Sequence, residues 1–401
     1  MLESALTAAD LTVFLVCFTV GCAKALAARS DRGTALRLTA SVLLCASLVY
    51  LLSAPAVYRA VGRLSGEPGL ASLLVYVAIL VCVGHAHALT HVWHPRRRAT
   101  DALRRSILLW VPVYGLATTA MTVLFFAADL SGPTRPLTFA TDYATEPTAL
   151  AMQLVYLTAL VVGIVATVRQ CRGPDGVIAL PGRPDLEDSL RLFAAAVALD
   201  LVYVACTATA AVSAALGHHA LDPLAAYGSV ASGTSALIAS YGLAKPALAA
   251  RRTERADHAA LLVLWHLVTD GGADSPFPAR PSWWNRYALS DVLAEILDGT
   301  YRLRPWMDPA VAPALAALAK ASPRAQGADV PALQAAATIR HAHQRRREAL
   351  TSGLPTPTTA GDTPVDNTPP TLVRDRQVRI ANHLSHPLVD ETLTILRATS
   401  T

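Results

Sequence analysis

Asp200 sits in the middle of the apolar run LFAAAVALDLVYVACTA. A carboxylate in such surroundings must hold a proton, meet a cation or ligand, or bond to a neighbouring helix, because an isolated charge inside a bilayer is costly. The run AAYGSVASGTSALIASYGLAK supplies groups that could complete a site, Ser232 and Ser235 foremost. Gly228, Ser232, Ala236 and Ser240 recur there at i+4 spacing. Such a stripe either lets a second helix approach closely or lines a polar cavity. Asp200, Ser232 and Ser235 therefore form the expected intramembrane polar site, as a proton or cation site, a ligand contact, or a structural bond between helices.

A second candidate is the stretch HAHALTHVWH, in which His87, His91 and His94 fall on one helical face. His87 and His91 are spaced as an HxxxH pair that can bind zinc if further ligands join it. The competing reading is ordinary interfacial histidine beside Trp93 and Arg96–Arg98. No nucleotide-binding loop, GxSxG elbow or HExxH is present, so neither a kinase nor an ATP-driven pump is expected, and no enzyme or cofactor.

The elements that would position these residues are membrane helices. Hydrophobic residues make up 53% of the chain and charged ones 16%, against roughly 25% charged in a soluble domain. Seven segments reach the ~20 residues that cross a bilayer core: roughly 8–28, 36–58, 70–93, 106–128, 148–168, 190–216 and 221–244. Pro112 should kink the fourth near its start. The first lacks the basic n-region of a cleavable signal, with Glu3 and Asp10 in its place. On one set of loops and flanks lie 17 Lys or Arg residues, from Lys24 to Arg255; the other set holds Arg59, Arg63 and Arg135. The positive-inside rule then places the amino terminus outside and the tail in the cytoplasm of a multi-pass plasma-membrane protein. The net charge of +5 is explained by these flanks, so nucleic acid is not an expected partner.

The expected fold is all-α: a polytopic bundle of seven transmembrane helices over residues 1–250 and a helical cytoplasmic domain over 251–350. A Pro/Thr-rich linker (351–371) and a C-terminal helix (372–401), interrupted at Pro387, follow. The apolar stretch Ala259–Val268 is too short to span and reads as the first cytoplasmic helix. The six cysteines show no metal-type or disulfide spacing.

Within the tail, RYALSDVLAEILDGTYRLRPWMDPAVAPALAALA is similar to a motif of the MAB_1171c family, actinobacterial seven-span proteins named as transporters whose tail is a DUF6545 domain. The matching positions are Arg286, Tyr287, Glu295, Ile296, Asp298, Leu303, Arg304, Pro305 and Trp306. Ser290 and Asp291 stand where that motif carries arginine. The resemblance implies seven spans, an inside helical tail and, by the family's name, transport. Three functions follow as expectations: a small-molecule permease using Asp200 and the polar seventh span, a receptor or signalling scaffold acting through the tail, and a metal-dependent intramembrane hydrolase using the histidines. The lipid bilayer is the expected partner in each, with a cytoplasmic protein bound through 251–401 or a second copy of the chain as further candidates.

Overall fold

The computed structural model describes residues 2–30, 33–94, 99–130, 138–173, 176–179, 184–270, 288–355 and 372–400. Every regular element among them is helical. The chain divides into two compact units, Met1–Leu248 and Ala249–Thr401.

The first unit contains α1 (Leu2–Ser30), α2 (Thr34–Ser53), α3 (Pro55–Ser65), α4 (Leu70–Val92), α5 (Ala99–Ala127), α6 (Phe139–Asp142), α7 (Pro147–Arg172), α8 (Pro184–Ala215) and the first half of α9 (Pro223–Val268). Six helices are long and apolar enough to cross a membrane, within α1, α2, α4, α5, α7 and α8. The early part of α9, read from sequence as a seventh span, is not among them, because its serines, glycines and tyrosines dilute the apolar residues.

Packing in this unit centres on α4 and α7. The first, second, fourth and seventh helices touch in sequence, α5 packs on both α4 and α7, and α8 packs on α7. Tyr156, Phe139, Phe193, Leu80 and Met121 are buried at the centre, and Tyr76 stacks on Tyr156 at 4.2 Å. On α5 the pattern is reversed: Leu108, Leu109, Val111, Leu116, Val123 and Phe126 all face outward. Water would oppose an apolar surface of that extent, whereas lipid tails cover it without cost.

The sequence reading of 36–58 as one helix is corrected at Pro55. Its ring disfavours helical backbone at Ala54, where φ −59° and ψ 124° end α2, and α3 begins with the proline at its first position. The new helix is amphipathic, carries Arg59 and Arg63, and stops at Gly66 with φ 74°. The segment 259–268 is likewise no separate helix. It is the last part of α9, which runs through Lys245, Pro246 and the charged residues 251–257 without interruption.

In the second unit the end of α9 joins α10 (Ala288–Arg302), α11 (Val311–Ala321), α12 (Val330–Thr351), α13 (Val373–His383) and α14 (Pro387–Ser400). Pro387 starts α14 rather than kinking a single helix. These helices share one core in which Leu261, Leu264, Val268, Ile296, Leu333 and Leu388 are fully buried. Arg374 of α13 clamps Asp257 of α9 with two N–H donors at 3.0 and 2.7 Å. Arg340 of α12 holds Asp390 of α14 at 2.7 Å.

Candidate functional site

Asp200 lies midway along α8 and keeps part of its surface accessible, through a cavity of about 100 Å³ that it lines. The serines read from the sequence line the same cavity from α9. Both stand near the carboxyl, which lines the same cavity from α8. Ser235 also donates to the carbonyl of Ala196 at 2.7 Å, one turn before Asp200 on α8. Ser232 meets the Tyr50 hydroxyl of α2 at 3.2 Å. Two turns further along α9, Ser240 meets Cys17 of α1 at 3.3 Å. Three helices far apart in sequence thus converge on α9 through hydroxyls and a thiol.

The small-residue stripe serves both uses considered for it. A Cβ at Gly228 would stand 3.2–3.4 Å from Cys206, Tyr203 and Thr207, and one at Gly242 would stand 3.2 Å from Leu192 and the Ser189 carbonyl, so α9 and α8 are in close contact. Between the glycines, Ser232, Ala236 and Ser240 leave room for the cavity. Sequence spacing found the stripe; it could not show that Tyr50, Tyr203 and Thr167 complete the wall from α2, α8 and α7.

A second cavity, of about 110 Å³, is lined by Asp10, Ser53, Tyr58, Ser72, Thr207 and Ser229 among others. The two cavities share Val49, Tyr50, Ile79, Tyr203 and Ser232. Asp10, which the sequence offered only as an argument against a signal peptide, is therefore part of the polar interior. Its position seven residues before Cys17, two helical turns, is the signal that could have found it.

His87 and His91 come together, with their Nε2 atoms 3.1 Å apart. His87 is buried, with its ring edge-on to Trp110 at 4.6 Å and its Nδ1 3.4 Å from the Thr167 hydroxyl. Thr167 donates its own proton to the Gly163 carbonyl at 2.8 Å, so His87 Nδ1–H must be the donor to Thr167, and His91 Nε2–H the donor to His87. Among the described residues no group of three or more His, Cys, Asp or Glu side chains comes together, and the two histidines remain a pair.

Of the tail motif, Glu295 accepts a hydrogen bond from the Trp265 indole, Arg304 lies over the Tyr301 ring at 5.2 Å, and Trp306 is buried in the core. Pro305 belongs to the short 3-10 turn Arg304–Trp306, and Asp298 is exposed. Arg286 lies outside the described residues, as do Arg96–Arg98 and most of the 351–371 linker. A cavity of about 470 Å³ opens beside the motif, with Tyr301, Arg304, Gln334, Arg376 and Gln377 on its walls.

No curated protein and no solved structure matches the chain. The protein is a multi-pass helical membrane protein, and its residues 247–380 match the model described as a family of unknown function, so that a DUF6545 domain makes up most of the second unit.

Proposed function

We propose that this chain is a seven-crossing transporter of a small solute, with its amino terminus outside, its DUF6545 tail in the cytoplasm, and its site at Asp200, Ser232 and Ser235. The observation that carries the reading is the cavity at the middle of the bundle, where secondary transporters bind their substrates and coupling ions. Polar groups from several helices face it, and the seventh crossing contributes the serines that make it polar. The bias of 17 basic residues against three supports the orientation. The similarity of the tail motif to a family named as transporters points the same way. A volume of about 100 Å³ suits an occluded state around a few water molecules or a small ion.

Thiol accessibility tests the reading. In a cysteine-free background, Ser232→Cys and Ser235→Cys should react with a small cationic methanethiosulfonate added to one face of sealed vesicles. Silence of both positions from either face, while the exposed Ala220→Cys reacts, would remove the solute path.

The receptor reading is favoured by one observation, the 470 Å³ tail cavity, which falls within the size range of small-molecule sites. Burial and the neighbouring Arg379 both hold the Arg376 guanidinium on its wall below the usual value. In that reading the tail senses a cytoplasmic ligand and passes the event to a protein partner through residues 251–401.

A further inference from the structure

We propose that protons cross this bundle along a path from Asp10 through Asp200 to the His87–His91 pair. The proposal deepens the transport reading and rests on its seven crossings.

Continuity is the first argument. The outer limb is the cavity that reaches Asp10, where the hydroxyls of Tyr58 and Ser72 meet at 2.6 Å. It passes into the Asp200 cavity at Tyr50, Tyr203 and Ser232, which line both. Thr167 lines the far side of that second cavity and bonds to His87, which bonds to His91. Depth can be read along α4, which contributes to every stage. Ser72 lies on the first cavity, Ile79 on both, Cys82 on the second, and His87 and His91 close the path. From Ser72 to His91 the helix rises about 28 Å, close to the ~30 Å of a hydrocarbon core.

Chemistry selects the proton among cations. A metal ion takes four or more donors in a fixed shell, whereas a proton needs one acceptor at each step. Each cavity has room for about three waters at roughly 30 Å³ apiece, enough to join Asp10 to Asp200 and Asp200 to Thr167. The groups facing Asp200 are Tyr50 from α2, Cys82 from α4, and Tyr203 on its own helix, with Ser232, Ser235 and Ser240 from α9. No Lys or Arg lines the cavity among the described residues, so nothing holds the carboxylate in a fixed ion pair.

The relay balances with N–H and O–H bonds alone. A proton arriving at His91 Nδ1 lets His91 give its Nε2 proton to His87 Nε2. His87 then gives its Nδ1 proton to the Thr167 oxygen, as the threonine turns its own proton to a cavity water. That water passes a proton to the Asp200 carboxylate, which releases it toward Asp10. Reversal requires only that both rings exchange tautomers.

The experiment uses the full chain in vesicles that enclose a pH-sensitive dye, with a potassium gradient and valinomycin setting the potential. Wild type should move protons faster than protein-free vesicles. Asp200→Asn and His87→Gln should each cut that flux at least tenfold, and Glu67→Gln, on an exposed turn, should leave it unchanged. Wild-type flux equal to that of empty vesicles overturns the proposal, as does undiminished flux in Asp200→Asn or His87→Gln. Should either variant fail to fold, the near-isosteric Thr167→Val and Asp10→Asn carry the same test. Reactive cysteines at 232 and 235 without proton flux would leave the solute site standing and remove only the proton path.

Discussion

The indole N–H of Trp265 points at the carboxylate of Glu295, and this contact ties the last turns of α9 to α10. Hydrogen bonds to a charged group contribute roughly 1.5–3 kcal/mol, and breaking this one strands the donor of a buried indole. Glu295→Ala should therefore lower tail stability by about 2 kcal/mol, whereas Glu295→Gln should recover much of it; thermal unfolding of the two variants checks the difference. His341 adds a pH dependence. Burial holds its imidazole below the usual 6.5, with the nearby Asp308 opposing and Arg345 assisting. The unfolded chain then binds a proton that the folded one resists, so stability present above pH 6.5 should fall on acidification below it. His258, also lowered by burial, acts in the same direction. Unfolding measured at pH 7.5 and 5.5 should show the loss, and His341→Gln should reduce it. Single residues were legible from sequence where they broke a pattern. Asp200 stood out as a charge within apolar neighbours, but Tyr50, its partner through Ser232, lies 182 residues away from that serine and looks like any interior tyrosine.

Two glycines decide how closely helices approach. A Cβ on Gly163 of α7 would collide with the Tyr114 hydroxyl of α5 and stand 2.5 Å from Val83 Cγ1 of α4. Gly299 of α10 faces Val268 so closely that an added Cβ would lie 2.9 Å from its backbone oxygen. Overpacking of this kind costs roughly 1–3 kcal/mol. Gly299→Ala should sit at the upper end of that range, since a backbone oxygen cannot rotate away as the Tyr114 hydroxyl can. Melting temperatures of both variants in lipid nanodiscs should fall, Gly299→Ala the further. A smaller drop in Gly299→Ala than in Gly163→Ala would contradict this ranking. Element boundaries were legible where hydropathy alone sets them and missed where one proline decides. Pro55 ends α2 because the residue before it leaves helical backbone. Pro246, two residues beyond the 221–244 segment, sits inside a helix that continues for 22 further residues, to Val268. The same residue type has opposite outcomes because α9 carries good helix formers on both sides of it, and neighbouring turns absorb one lost hydrogen bond.

Charge and hydropathy act together on the whole molecule. The six strongly apolar helices fix a membrane protein, yet an even count of crossings would leave both ends of the first unit on one side. Lys245 and the arginines at 251, 252 and 255 follow the polar run of α9 directly. In the proposed topology these join the basic side by a crossing of α9, as Lys24 and Arg29 do at the end of α1. The alternation of basic and non-basic flanks is the argument for the proposed seventh crossing, which apolar content alone leaves out. The consequence is measurable in intact cells with a cysteine-free chain. Ala220→Cys, on the exposed turn between α8 and α9, should react with a membrane-impermeant maleimide added outside. Ser352→Cys, exposed at the end of α12, should react only after the membrane is opened. With six crossings instead, α9 would remain on the side where α8 ends, and both positions would label alike. Labelling of 352 alone in intact cells would invert the orientation, placing the basic flanks outside and the Asp10 end of the bundle within.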